Sequence, residues 1–251
     1  MGEFPPFFLH KNVRFSNLIH ILQKKVMKIL VACEESQAIT LAFRKLGYEA
    51  YSCDLLPCSG GHPEWHYQDD VFNVIERENW DMMIAHPPCT YLTSSGVQWL
   101  SHPEDKDLPF EDRRPHPKYP NRRKDMLDSV EFVKALYNCK IPMVAIENPI
   151  GLLSTKWRKP DQIVQPFMFG DEASKSTCLW LKNLPQLTPT NVVGKGEFVT
   201  FSSGKKMPKW YADAIAQAKT DAERRTLRSK TFQGIADAIA QQWSDALFNI
   251  K

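Results

Sequence analysis

The chain has no apolar run approaching the ~20 residues needed to span a bilayer. No basic segment precedes its early apolar stretch, Phe4 to Leu9, and no small-residue cleavage site follows it. A membrane-spanning helix and a secretory leader are therefore not expected. The chain also lacks internal repeats and low-complexity tracts, which argues against a solenoid or a biased linker. It lacks a strong charge of either sign. The formal net charge is +3, too mild to announce a nucleic-acid partner and too mild to forbid one. Glycine is scarce, with 11 in 251 residues, and the turn Ala32 to Gln37 contains none. A backbone turn that lets a ligand approach closely usually needs glycine.

What is present suits a folded enzyme-sized domain. The residues are 43% hydrophobic and 24% charged, close to the globular average, so wholesale disorder is excluded. A chain this long can bury a sizeable core without disulfides or metals. Six cysteines, Cys33, Cys53, Cys58, Cys89, Cys139 and Cys178, are scattered along it. Reduced thiols in a cytoplasmic protein are the expectation.

Apolar runs of strand length occur at Lys28–Cys33, Glu49–Cys53, Trp80–Ala85, Ile141–Ile146 and Cys178–Leu181. A helix is expected over Gln37–Leu46, capped by Ser36 and ended by Gly47. A second helix carries apolar positions from Met126 to Leu136, and a last helix is expected over Phe232–Leu247. Strands alternating with helices predict an α/β fold, with a mostly parallel sheet covered on both faces. Residues 101–124, rich in Pro, Asp, Arg and His, are expected as a long surface loop. The expected division is an N-terminal extension over 1–26, a main domain over 27–182, a small insertion over 183–230 and a closing helix in 231–251. A packed helix over Phe15–Lys25 is the alternative for the first segment.

Two tripeptides carry chemistry. Pro87-Pro88-Cys89 follows one buried strand, with His86 before it, and Glu147-Asn148-Pro149 follows another. Ligands of open α/β sheets bind beyond the carboxyl ends of the strands. A thiol and a carboxyl group meeting there suit nucleophilic attack on a ring assisted by proton donation. Either tripeptide alone is weak, and a lone cysteine is most often a buried structural thiol.

The pair, in this order, resembles the DNA cytosine-5 methyltransferases. Pro87-Pro88-Cys89 is similar to that family's nucleophile loop, and Glu147-Asn148 to the start of its Glu-Asn-Val tripeptide. Thr93 and Gly96 stand at the offsets of the loop's hydroxyl residue and glycine. Gln233-Gly234 and the residues after it resemble the family's last motif, and the likeness spans Lys28 to Trp243. The resemblance implies a Rossmann-like methyltransferase fold with a small inserted recognition segment. It implies methyl transfer from S-adenosylmethionine to carbon 5 of a flipped-out cytosine in DNA. Cys89 would add to ring carbon 6 while Glu147 bonds ring nitrogen 3, with Pro88, Asn148 and Lys175 beside them. Lys175 stands where the family has arginines, near Phe169-Gly170.

The cofactor is expected at Cys33, Glu34, Ser36, Asp54, Asp70 and Pro87. Asp54 would meet ribose hydroxyls and Asp70 the adenine-side turn. The missing glycines of the first turn are the largest departure from the family. DNA is expected at Thr93, Ser94, Arg113, Arg114, Arg122, Arg123, Lys205 and Lys206, since such basic residues contact phosphates. Two other readings stay open: a binding protein that kept the fold without turnover, and an amino-methyltransferase, which His86 and Cys89 suit poorly. Cys53, Cys58, His62 and His66 are spaced within reach of a zinc site. The three-residue gap between the cysteine and histidine pairs argues against it, and no metal is expected.

Overall fold

The computed structural model describes residues 27–247. The expectations for residues 1–26, including a helix over Phe15–Lys25, lie outside the described residues.

The chain starts with β1 (Lys28–Ala32), α1 (Ala38–Lys45), β2 (Glu49–Asp54), β3 (His66–Gln68), α2 (Val71–Arg77) and β4 (Met82–Ala85). It continues with α3 (Arg122–Tyr137), β5 (Met143–Pro149), α4 (Leu153–Lys156), β6 (Gln162–Val164) and β7 (Thr177–Lys182). A hairpin of β8 (Phe198–Thr200) and β9 (Lys206–Pro208) follows, then α5 (Lys209–Gln217), α6 (Asp221–Ser229) and α7 (Gln233–Leu247).

Seven strands form one sheet in the order β3-β2-β1-β4-β5-β7-β6. Neighbours from β3 through β5 pair parallel, and β7 runs antiparallel to β5 and β6. Buried apolar residues lie on both faces. Ile29, Val31, Met82 and Ile84 pack against α1 and α7, where Phe43, Ile239 and Trp243 are buried. Leu30, Met83 and Val144 join a second cluster with Val74, Val130 and Val133 from α2 and α3. This is an α/β, doubly wound, Rossmann-like arrangement, a mostly parallel sheet with helices on both faces. Strand order reverses between β1 and β4, so a crevice opens beyond their carboxyl ends.

The short strands β3 and β6 are not apparent in the sequence, because three-residue runs carry too little periodicity. The loop expected over 101–124 ends three residues earlier: residues 101–121 form a loop with short 3₁₀ turns at Pro103–Asp105 and Phe110–Asp112, and 122–124 already belong to α3. Of the segment expected as an insertion, residues 183–193 lie on the main domain. Leu187 is buried in the core, Val193 N–H donates to the Phe167 carbonyl, and Trp243 Nε1 donates to the Pro185 carbonyl at 2.9 Å. The hairpin with α5 and α6 makes up the rest. It attaches through Trp210 Nε1, which donates to the Ser174 carbonyl at 3.0 Å.

Ser36 does not cap α1. The carboxylate of Glu34 does so instead, accepting from Ile39 N–H at 2.7 Å and from Thr40 N–H and Oγ1. It fills the role of an N-cap side chain from further upstream.

Gly234 opens α7 against the loop before β7. A Cβ there would lie 1.9 Å from the Phe169 carbonyl oxygen, while Gly234 N–H donates to Asp171 at 2.9 Å. Neither backbone can move without breaking the seam between α7 and the sheet. Gly234→Ala is therefore expected to destabilise the fold by about 1–3 kcal/mol, the range for overpacking. Urea unfolding of both proteins checks this, and an unchanged midpoint would contradict it.

Candidate active site

Four chemistry-bearing residues come from the ends of four neighbouring strands. Glu34 follows β1, His86 follows β4, Glu147 lies near the end of β5, and Lys175 precedes antiparallel β7. Sheet order therefore sets them in a row along one edge.

His86 Nδ1 lies 3.0 Å from Glu147 Oε2, with side chains 13% and 18% exposed. Burial opposes the charge on His86. The bonded Glu147 carboxylate and the charge of Glu34 outweigh that, so its pKa is raised, while Lys175 acts in the opposite sense. Burial likewise pushes the Glu147 carboxyl up, but the hydrogen bond and charge of His86 prevail and hold it below its ordinary range. Glu34, the most deeply buried of the three, is raised, chiefly by desolvation. Burial lowers Lys175, against the pull of Glu147 and Cys89. Its Nζ donates to the Lys230 carbonyl at 3.1 Å.

Cys89 joins this row. Its thiol pKa is raised by burial and then by Glu147, while Arg228 and Lys175 act to lower it. The loop that carries it is fastened to the end of β5 and to the segment that follows. Asn148 Nδ2 donates to the Pro87 carbonyl at 2.8 Å, and Leu152 N–H to the Leu92 carbonyl at 2.7 Å. A Cβ on Gly151 would lie 2.0 Å from that Leu92 oxygen, so glycine is what allows the join. Pro87 is buried and Pro88 exposed. Thr93 bridges to Gly151, and its hydroxyl lies 3.2 Å from that of Ser95. Ser94 is exposed.

Five buried side-chain polar atoms have no hydrogen-bond partner among the described residues: Arg44 Nη2, His86 Nε2, Arg122 Nε, Asn148 Oδ1 and Arg228 Nε. Four of them belong to residues around the Cys89 loop. Buried polar groups are nearly always satisfied, so these atoms are left to be met by water or by a ligand. Arg228 did not stand out in the sequence. It hid in a basic run that reads equally well as a solvated helix face.

The turn after β1 solves its lack of glycine with strain. Cys33 and Gln37 both take left-handed backbone, at φ 58° and 59°, at a cost of roughly 1–3 kcal/mol each. Gln37 is buried and holds the 59–62 loop, with Nε2 donating to the His62 carbonyl and Oε1 accepting from His62 N–H. Gly60 is needed there, because a Cβ would lie 2.5 Å from Gln37 Cβ. Cys33, Cys53, Asp54 and Asp70 interact electrostatically, and burial pushes both thiols up to about 12. Among the described residues the Asp54 carboxylate accepts one hydrogen bond, from Leu56 N–H at 2.9 Å, so it retains acceptors suited to ribose hydroxyls. Asp70 caps α2 through Phe72 N–H. Ser36 is half-buried beside them. Glu34 departs from the cofactor expectation, since its carboxylate is spent inward on α1. These acceptors fit the hydroxyls of a nucleoside beyond the carboxyl ends of β1 and β2.

Cys58, His62 and His66 are committed elsewhere or scattered. His66 Nδ1 pairs with Ser52 and Nε2 with the Leu56 carbonyl, and His62 stacks on Trp65. Among the described residues no three His, Cys, Asp or Glu side chains gather as a metal site.

The loop arginines mostly face inward. Arg113 donates to the Leu108 and Lys106 carbonyls, and Arg114 forks onto Asp105, which it holds down to about 2. Arg122 donates to the Thr90 carbonyl at 3.0 Å, in space that a Cβ on Gly96 would fill. Arg123 donates to the Leu100 carbonyl and to Ser101. Lys205 and Lys206, at the hairpin end, are exposed.

The His86–Glu147 pair predicts a pH signature. His86 contributes stability that is complete below its ordinary value of 6.5 and is lost as pH rises through its raised folded value. Glu147 contributes stability present above 4.5 and lost as pH falls through its lowered folded value. His86→Gln leaves a buried carboxylate unpaired, a loss of about 3 kcal/mol. That loss is expected to be largest between these two ordinary values and to shrink at higher pH. Urea unfolding across the pH range measures it, and a loss that does not vary with pH would contradict the pairing.

Neither a protein-family model nor a curated protein sequence matches the chain. Among solved structures it is similar to a protein provisionally named a DNA modification methyltransferase, encoded within a prophage of E. coli. The two are 12% identical with a TM-score of 0.39, over 67% of this chain and 52% of that one. The chain thus spans about half the length of that protein, and at this similarity the likeness adds nothing to the geometry.

Proposed function

We propose that the chain is an S-adenosylmethionine-dependent DNA methyltransferase acting on carbon 5 of cytosine, with Cys89 as nucleophile. One observation carries the reading: two adjacent strand ends bring Cys89 and Glu147 to a single edge amid unsatisfied buried donors and acceptors. Cys89 rests as the thiol. The positive charges of Lys175 and Arg228 favour its ionisation, which the attacking form requires.

Addition of the Cys89 sulfur to ring carbon 6 breaks the 5,6 double bond and pushes electron density toward ring nitrogen 3. Glu147 bonds that nitrogen, and His86 Nδ1 behind it keeps a proton within reach of the carboxylate. Bound S-adenosylmethionine supplies the electrophilic methyl group. Carbon 5 would take that methyl group as its bond to the cofactor sulfur breaks; the carbon 5 proton then passes to water, the Cys89–carbon 6 bond breaks, and the ring double bond is restored. Asp54, with Cys33 and Asp70 beside it, would hold the nucleoside end of S-adenosylmethionine. A base inside a duplex cannot reach Cys89, so it must be flipped out at a cost of a few kcal/mol. Lys205 and Lys206 would meet the backbone phosphates.

A fold-retaining binding protein without turnover is the second reading. It is favoured by the raised thiol of Cys89 and by Glu34 filling the end of α1. Incubation with labelled S-adenosylmethionine and DNA, then digestion to nucleosides, separates the two. The expected product is 5-methylcytosine, with loss of more than about 100-fold in Cys89→Ser, as for removal of a nucleophile. DNA containing 5-fluorocytosine should trap an adduct on Cys89. No product across duplex and single-stranded substrates, or an adduct on another cysteine, would overturn the proposal.

A further inference from the structure

A second cavity lies in the loop between β4 and α3, outside the strand-end row. Its volume is about 310 Å³, within the range of small-ligand sites. Trp99, Phe110 and His116 give it aromatic walls, and Lys106, Arg113 and His102 give it nitrogen donors, while no acidic residue lines it.

The walls are built rather than incidental. Arg113 clamps the carbonyls of Lys106 and Leu108. Arg123 holds the Leu100 carbonyl beneath Trp99 and lies over the Phe110 ring, 4.5 Å from its centroid. Trp99 is edge-on to His116 and Tyr119, with centroids at 5.1 and 5.4 Å, and stays 36% exposed. One Trp surface is therefore fixed while another is left open. Lys106 is exposed, and among the described residues it has no carboxylate partner. An exposed indole beside an unpaired ammonium, in a pocket without acids, suits a flat aromatic ring bearing a negative group.

We propose that this cavity is a second nucleotide subsite, taking an unpaired nucleobase against Trp99 and its phosphate on Lys106. Base–aromatic stacking with a nearby cation is how single strands are held without sequence readout. The subsite extends the proposed function, and it rests on that reading only for the source of its ligand. The chain ties it to Cys89: the 3₁₀ turn Ser94–Trp99 follows the thiol loop directly, and Arg122 fastens α3 to Thr90. A nucleotide in the cavity would hold a displaced base beside the one presented to Cys89.

The test uses the full chain carrying Cys89→Ser, with fluorescent oligothymidylate, thymidine monophosphate and a fully paired duplex as separate probes. Oligothymidylate contains no cytosine, so its binding does not depend on the methyltransferase reading, which the 5-fluorocytosine adduct tests separately. Oligothymidylate is expected to quench tryptophan fluorescence. Its Kd should rise about tenfold in Trp99→Ala, as for loss of one stacked base. It should rise severalfold in Lys106→Gln, with a shallower salt dependence. Lys106→Gln alters only an exposed side chain, so it keeps the test decisive if Trp99→Ala fails to fold. Monophosphate binding that is lost in the same variants supports a free-nucleotide source for the same chemistry. The proposal is overturned by wild-type affinity in Lys106→Gln, by preference for the paired duplex that neither variant alters, or by no binding of either thymidine probe.

Discussion

A buried histidine held between two buried carboxylates is the constraint around which the site is organised. His86 answers Glu147 directly and Glu34 through space, and Lys175 completes a row of alternating charge along four strand ends. Isolated charges at such depth would be driven to neutrality. Here each lowers the penalty of the next, so removing one leaves its neighbour unpaired. The row also explains why a thiol raised by burial still sits at a useful place. Lys175 and Arg228 face Cys89 from the segment before β7 and from α6, and they oppose the negative Glu147.

The sheet makes that row possible, and much of the sheet is legible in the sequence. Five apolar runs correspond to the five inner strands, β2, β1, β4, β5 and β7, and the two tripeptides mark the ends of β4 and β5. The role of Asn148 follows from its place: one amide hydrogen bond to Pro87 fixes the distance between the two loops. What the sequence hides are interactions without a local pattern. Glu34 caps α1 from outside the expected cap position, because Gln37 takes a left-handed conformation that carries the chain around. Arg228 reaches the site from a helix whose polar composition suggests solvent on every side.

Scarce glycine turns out to be a matter of position. The turn after β1 does without it, at the expense of strain in Cys33 and Gln37. Glycine appears instead where two backbones, or a backbone and a packed side chain, must touch: Gly60 against Gln37, Gly151 against Leu92, Gly234 against Phe169. At Gly151 and Gly234 the close neighbour is a carbonyl oxygen, which cannot rotate away as a side chain can. Rigidity is thus concentrated in the seams that position Cys89 and α7.

The charge balance also changes meaning. Composition counts 32 basic residues, but counting does not tell a phosphate contact from a structural strut. Arg113, Arg114 and Arg123 are held by carbonyls, a hydroxyl and carboxylates of the loop between β4 and α3, and Arg122 is held there through one nitrogen, by the Thr90 carbonyl. A guanidinium already forked onto Asp105 gains little by exchanging that partner for a phosphate, because the buried carboxylate would be left alone. Lys106 at the loop cavity and Lys205 and Lys206 at the hairpin are exposed lysines. Point charges on flexible stems attract a backbone without fixing its register. Under the proposed function, discrimination among nucleic acids would come from the aromatic walls and the strand-end row rather than from the basic residues that composition brings forward first.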